Sequence, residues 1–81
     1  MGKPRKQSEV TIRTRKLQAV LRAAGFFLKH SGYKHYNVVR GERGRKVLAT
    51  YRTDLGVVYL ASGFPQKLTK ALAEAPVRVI G

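Results

Sequence analysis

The 81-residue chain has no cysteine. Disulfides and thiolate metal ligands are therefore excluded, although a chain this short is close to the lower size at which an apolar core suffices. Carboxylates are almost as scarce. Glu9, Glu42, Asp54 and Glu74 are spread over four segments, which argues against a paired-carboxylate or magnesium site. Two histidines, His30 and His35, without a cysteine are too few for zinc. No metal and no cofactor is expected. No run approaches the roughly 18 apolar residues that a membrane helix needs. The charged N-terminus has no apolar segment behind it, so it does not read as a secretory signal. A cytoplasmic protein without a membrane partner is expected. Internal repeats and a glycine-rich phosphate loop are also lacking, since "GERGRK" reads as a hairpin with basic flanks.

Positive charge is what the chain has in abundance. Seventeen Lys and Arg stand against four acidic residues, a net +13. Residues 1–52 carry a net +12 and residues 53–81 a net +1. Such a one-sided field is the electrostatic footprint of a protein that meets a polyanion, so DNA or RNA is the expected partner. An anionic membrane fits less well, because no segment joins a basic face to a large exposed apolar one. A surface that is charged merely for solubility does not call for this density.

Residues 1–7, "MGKPRKQ", read as a flexible basic arm that offers Lys3, Arg5 and Lys6. Residues 8–81 read as one domain. In "SEVTIRTRKLQAVLRAAG", Leu17, Val20, Leu21 and Ala24 make one apolar stripe at helical spacing, with Arg15 and Arg22 on the other side. Ser8 or Thr14 is the expected N-cap, and Gly25 the stop. Three β-type runs follow at 26–30, 34–40 and 45–52, punctuated by Ser31-Gly32 and "GERG".

A tight loop at 41–44 sets Arg40 opposite Arg45, Val38 opposite Val47, Tyr36 opposite Ala49 and Thr50 across from His35. One face then carries Tyr36, Val38, Val47, Ala49 and Tyr51 and suits a core. The other carries His35, Asn37, Val39, Lys46, Leu48, Thr50 and Arg52 and is too polar to bury. "VVYLA" at 57–61 is a fourth strand or a buried connection. "SGFP" opens a last helix, with Pro65 in its first turn and Leu68, Ala71, Leu72 and Ala75 on one side. Pro76 stops it and leaves "VRVIG" as a tail or short edge strand. The expected fold is α+β, in the order αβββ(β)α: a small antiparallel sheet with both helices on one face and the other face open.

Several side chains qualify for nucleic-acid contact. Arg43, Arg45 and Lys46 flank the hairpin tip, and Arg15, Arg22, Lys34 and Arg52 add to the basic surface. Asn37 and Thr50 supply polar groups on the open face. Tyr33, at a turn, suits stacking on an unpaired base. Phe26, Phe27 and Phe64 read as packing residues. His35 with Lys46 and Arg52 forms a minimal set for RNA cleavage: a positioned imidazole contributes about 10²–10⁴-fold by moving a proton, and cations stabilise the charged phosphorane. The plainer reading of His35 is an exposed strand histidine that bonds phosphate or water. His30 reads as a solvated turn residue.

The helix ending "VLRAAGF", a strand, "GYKHYNV" and a basic hairpin into "VLATYR" together resemble the HicA family of small messenger-RNA-cleaving toxins. That family has an αβββα fold like a double-stranded-RNA-binding domain, with a glycine three residues before a histidine on the second strand. Gly32 and His35 stand in those places, so the resemblance implies a catalytic role for His35 and an acidic, antitoxin-type partner protein. It covers about 14–52, with a looser match at the last helix. Tyr33 stands where the family has a small hydroxyl residue, and Lys34 follows it.

Three functions are therefore expected, in this order. The first is a binder on a HicA-like scaffold that grips DNA or structured RNA through phosphate contacts, as a phage host-takeover or nucleoid-binding protein would. The second is a ribonuclease with His35 as general acid/base. The third, suggested by size, charge and the basic arm, is a ribosome-associated protein.

Overall fold

The computed structural model describes residues 9–81. The arm at 1–7, with Lys3, Arg5 and Lys6, and Ser8 as a cap lie outside the described residues. The first element is α1 (Glu9–Ala23). Leu17 and Leu21 of its apolar stripe are completely buried, and the chain leaves the helix at Gly25, whose φ of +91° suits a residue without a Cβ. Thr14 does not cap the helix. It sits inside α1, where its Oγ1 donates to the Val10 carbonyl at 2.8 Å, a bond that hydroxyl residues make one turn back within a helix.

The strands are β1 (Phe26–Gly32), β2 (His35–Arg40), β3 (Ala49–Arg52) and β4 (Val57–Leu60). A second helix, α2 (Gln66–Leu72), and β5 (Arg78–Ile80) complete the fold. The strand order in the sheet is the chain order, antiparallel from β1 to β4. The fourth strand is thus present, and the "VRVIG" segment supplies a fifth, parallel to β4 and reached through α2. The α+β architecture is as the sequence reads.

Three local expectations are corrected. First, the turn between β1 and β2 falls at Tyr33-Lys34, not at Ser31-Gly32. His30 pairs with Tyr36 but Gly32 with His35, so one residue, Ser31, is extra on β1. This bulge re-aims the strand and lets Phe26 and Leu28 share the face of Val38.

Second, "GERG" is not a tight hairpin turn. Residues 41–48 form the connection, and Val38 faces Ala49, Tyr36 faces Tyr51 and Asn37 faces Thr50. Arg40 has Phe26 of β1 as its partner, with its guanidinium 5.8 Å from that ring. The tight register sets two arginines directly opposite each other, an unfavourable pair, whereas the observed one sets Tyr36 opposite Tyr51 with their rings 6.3 Å apart. A shift of two preserves the assignment of faces for the paired residues of β2 and β3.

Third, Val39 and Leu48 are buried rather than on a wet face, and Val47 is exposed. Leu48 precedes β3, donates its N–H to the Val38 carbonyl and joins the core cluster. On the opposite face, Lys29 Nζ donates to the Gly44 carbonyl at 3.1 Å. That bond ties the loop over the end of the sheet where Val39, only 2% exposed, lies.

Both helices pack on one sheet face. Leu17 and Leu21 of α1 and Leu68 and Leu72 of α2 meet Leu28, Val38, Ala49, Tyr51 and Val58. The Tyr51 hydroxyl is not orphaned: it accepts from Arg13 Nε at 3.3 Å and lies 3.2 Å from Thr14 Oγ1. Arg13 also donates to the Thr53 carbonyl, so it fastens α1 to the β3–β4 turn. Gly56 completes that turn at φ +65°, and a Cβ there would come within 2.9 Å of the Arg13 guanidinium carbon. Pro65, with extended backbone, occupies the N-cap of α2 rather than its first turn. Ala75 lies beyond α2 but still packs against the core.

Candidate nucleic-acid interface

The sheet face away from the helices follows from the pairing register. Lys29, Asn37, Thr50, Tyr59 and Ile80 form one cross-strand row. His35, Arg52, Val57 and Arg78 form the next. Neighbours in a row belong to strands about 4.8 Å apart, and rows are two residues apart along each strand. Asn37 and Thr50 are paired on this face as polar, half-buried neighbours.

His35 is half-buried on the same face, with Arg52 rather than Thr50 directly opposite. The Arg52 guanidinium is engaged by Asp54 through two of its three nitrogens: Nη2 donates to Oδ2 at 2.8 Å and Nε to Oδ1 at 3.2 Å. The Arg52 hydrogen bond, assisted by its charge, holds the Asp54 carboxyl below its ordinary value. Lys46 is not beside His35. It projects from the 41–48 loop at the opposite end of the strands, its Nζ against Gly63. The His35–Lys46–Arg52 set is thus not assembled, because lengthening the loop removes Lys46 from the strand.

The other histidine does not join them either. His30 belongs to β1, not to a turn, and lies on the helix side with its ring 5.0 Å from that of Tyr36. The two imidazoles are on opposite faces of the sheet. Among the described residues, no group hydrogen-bonds the His35 ring, so nothing fixes its tautomer as an orienting carboxylate or carbonyl would.

The remaining candidates fall into separate groups. Arg43, Arg45 and Lys46 are exposed on the loop. Tyr33 is 88% exposed at the β1–β2 turn, with Lys34 Nζ 5.1 Å from its ring centre. Arg15 is exposed on α1 and shares with Tyr33, Tyr36 and Thr53 a shallow groove of about 260 Å³. Arg22 lies over the half-buried Phe27 ring at 5.5 Å. Phe26 is buried as expected, whereas Phe64 is 37% exposed.

Sequence reasoning missed Lys29, Tyr59 and Arg78, which the register places on the open face. Tyr59 was hidden in a run read as uniformly apolar, although the alternation of a half-buried strand turns it outward. Arg13 was missed as a structural residue.

The described residues hold 14 Lys and Arg and four carboxylates, and form one ion pair, Arg52–Asp54. Among them no group of His, Asp and Glu is arranged to hold a metal ion, and no helix is long and apolar enough to cross a membrane. No family model, curated protein or solved structure matches the chain.

Proposed function

We propose that this protein binds nucleic acid, gripping DNA or structured RNA through phosphate contacts. The observation that carries this reading is the unneutralised charge, with a single ion pair among the 14 cations of the described residues. Like charges so arranged repel one another within the folded chain. A polyanion relieves that repulsion and gains from the counterions it releases. The HicA-like reading of the scaffold, a cytoplasmic location and an acidic, antitoxin-type protein as a competing partner belong to the same proposal. The αβββ order as far as β3 supports the first, and the basic surface supports the last.

The test is the salt dependence of binding. If about five or six phosphates are neutralised, log affinity for duplex DNA falls against log salt with a slope near −5. A flat response would remove the reading.

Cleavage of RNA is the second reading, and one observation favours it: His35 and Arg52 are cross-strand neighbours on the open face. In that reading His35→Ala abolishes cleavage while RNA binding, which rests on many cations, is largely kept. A wild-type protein that leaves RNA intact, or a His35→Ala variant that cuts as well as wild type, excludes it.

A further inference from the structure

The open face of the sheet carries an exposed aromatic ring in a setting that the charge alone does not explain. Tyr59 is 38% exposed on β4. Thr50 and the exposed Ile80 are its neighbours to either side. Val57, two residues back along β4 on the same face, is buried. Arg52 and Arg78 flank Val57 in the next row, so each lies diagonal to Tyr59, roughly 7–8 Å away and within reach of long side chains. Asn37 stands one strand beyond Thr50 in the row of Tyr59.

We propose that this face takes an unpaired segment of nucleic acid, with one base stacked on Tyr59, an adjoining phosphate on Arg78, and Asn37 within reach of a base edge. A base in a duplex has both π-faces covered by its neighbours, so a ring on a sheet surface meets a base face only where the strand is single. A second copy of this chain is a poor occupant, since two molecules of net +13 repel. The inference rests on the nucleic-acid reading above and narrows it: loop cations such as Arg43 and Arg45 hold phosphates of any strand, whereas Tyr59 discriminates for single strands.

The experiment uses three variants of the full chain and two kinds of probe, short oligothymidylate and oligouridylate on one hand and a DNA hairpin duplex on the other. Tyr59→Ala is expected to lose about ten-fold in affinity for the single strands and to keep duplex affinity within about two-fold, the range expected where only phosphate contacts act. Tyr59→Phe retains the ring and is expected to bind single strands as wild type does, which separates stacking from a hydroxyl contact. The chain has no tryptophan, so Tyr59→Trp introduces a lone indole, whose fluorescence the single strands should quench to saturation and the duplex should not. This variant tests the idea even if Tyr59→Ala fails to fold. Single strands that bind all variants equally and leave the indole unquenched would overturn the inference and leave the nucleic-acid reading standing. Quenching that grows with protein concentration alone would overturn it in favour of self-association. Absence of binding to any probe at low salt would remove both the inference and the function on which it rests.

Discussion

Arg52 faces His35 across the strand pair while its guanidinium is held by Asp54. The carboxylate thus cancels one of the cations of the open face. Asp54→Asn is expected to free it, raising affinity for nucleic acid and steepening the salt slope by about one; a titration of both proteins over a range of salt checks this. Acid acts in the same direction. Because the Asp54 carboxyl is held below its ordinary value of 3.8, its contribution to stability is full above that value and is lost as pH falls through the lowered one. Arg52 is released over the same acid interval. The pair is exposed, so the effect on folding is small. Arg13 behaves in the opposite way, because its donors go to the buried Tyr51 hydroxyl and the Thr53 carbonyl. Arg13→Met is expected to cost about 1–2 kcal/mol in urea unfolding, the usual range for such bonds, with little change in affinity. A loss of affinity without loss of stability would make Arg13 a contact residue instead.

At the scale of elements, the 41–48 loop separates charge from structure. Arg43 and Arg45 are exposed, while Leu48 at its end enters the core. The double change Arg43→Ala with Arg45→Ala should therefore weaken binding to all sequences alike and reduce the salt slope by about two, with an unchanged melting temperature. A shift in sequence preference would place these side chains against base edges. The same loop shows where sequence reasoning reaches and where it stops. The stripe of Leu17 and Leu21 declares α1, and Val38 with Ala49 declares the buried sheet face, because both rest on periodicity within a segment. Pairing register rests on loop length, which four residues of "GERG" do not specify. The shift of two keeps the faces of β2 and β3 but reverses Val47 and Leu48 in the loop, moves Lys46 away from His35 and puts Arg52 in the place of Thr50. Ser31 likewise gives no sign in isolation that it is a bulge. Arg78 became legible only once β5 was known to pair with β4.

For the molecule as a whole, a net +13 on 81 residues makes salt act with opposite signs on fold and complex. Screening eases repulsion within the folded chain, so the melting temperature of the free protein should rise from low to moderate ionic strength while affinity falls. Calorimetry beside binding titrations checks this, and parallel trends would show that the charge is too dispersed to repel. The sheet, finally, has its strands in chain order, with a crossover only before β5. Each of the first three pairings therefore closes a short stretch of chain, which is the condition for rapid folding, whereas β5 must wait for α2 to form and dock. That ordering makes the last strand a determinant of how long the native state persists rather than of how fast it is reached. Val79→Ala, in the middle of β5, should accelerate unfolding and leave the refolding rate nearly unchanged in stopped-flow chevrons; slower refolding would mean that the crossover is already formed in the transition state.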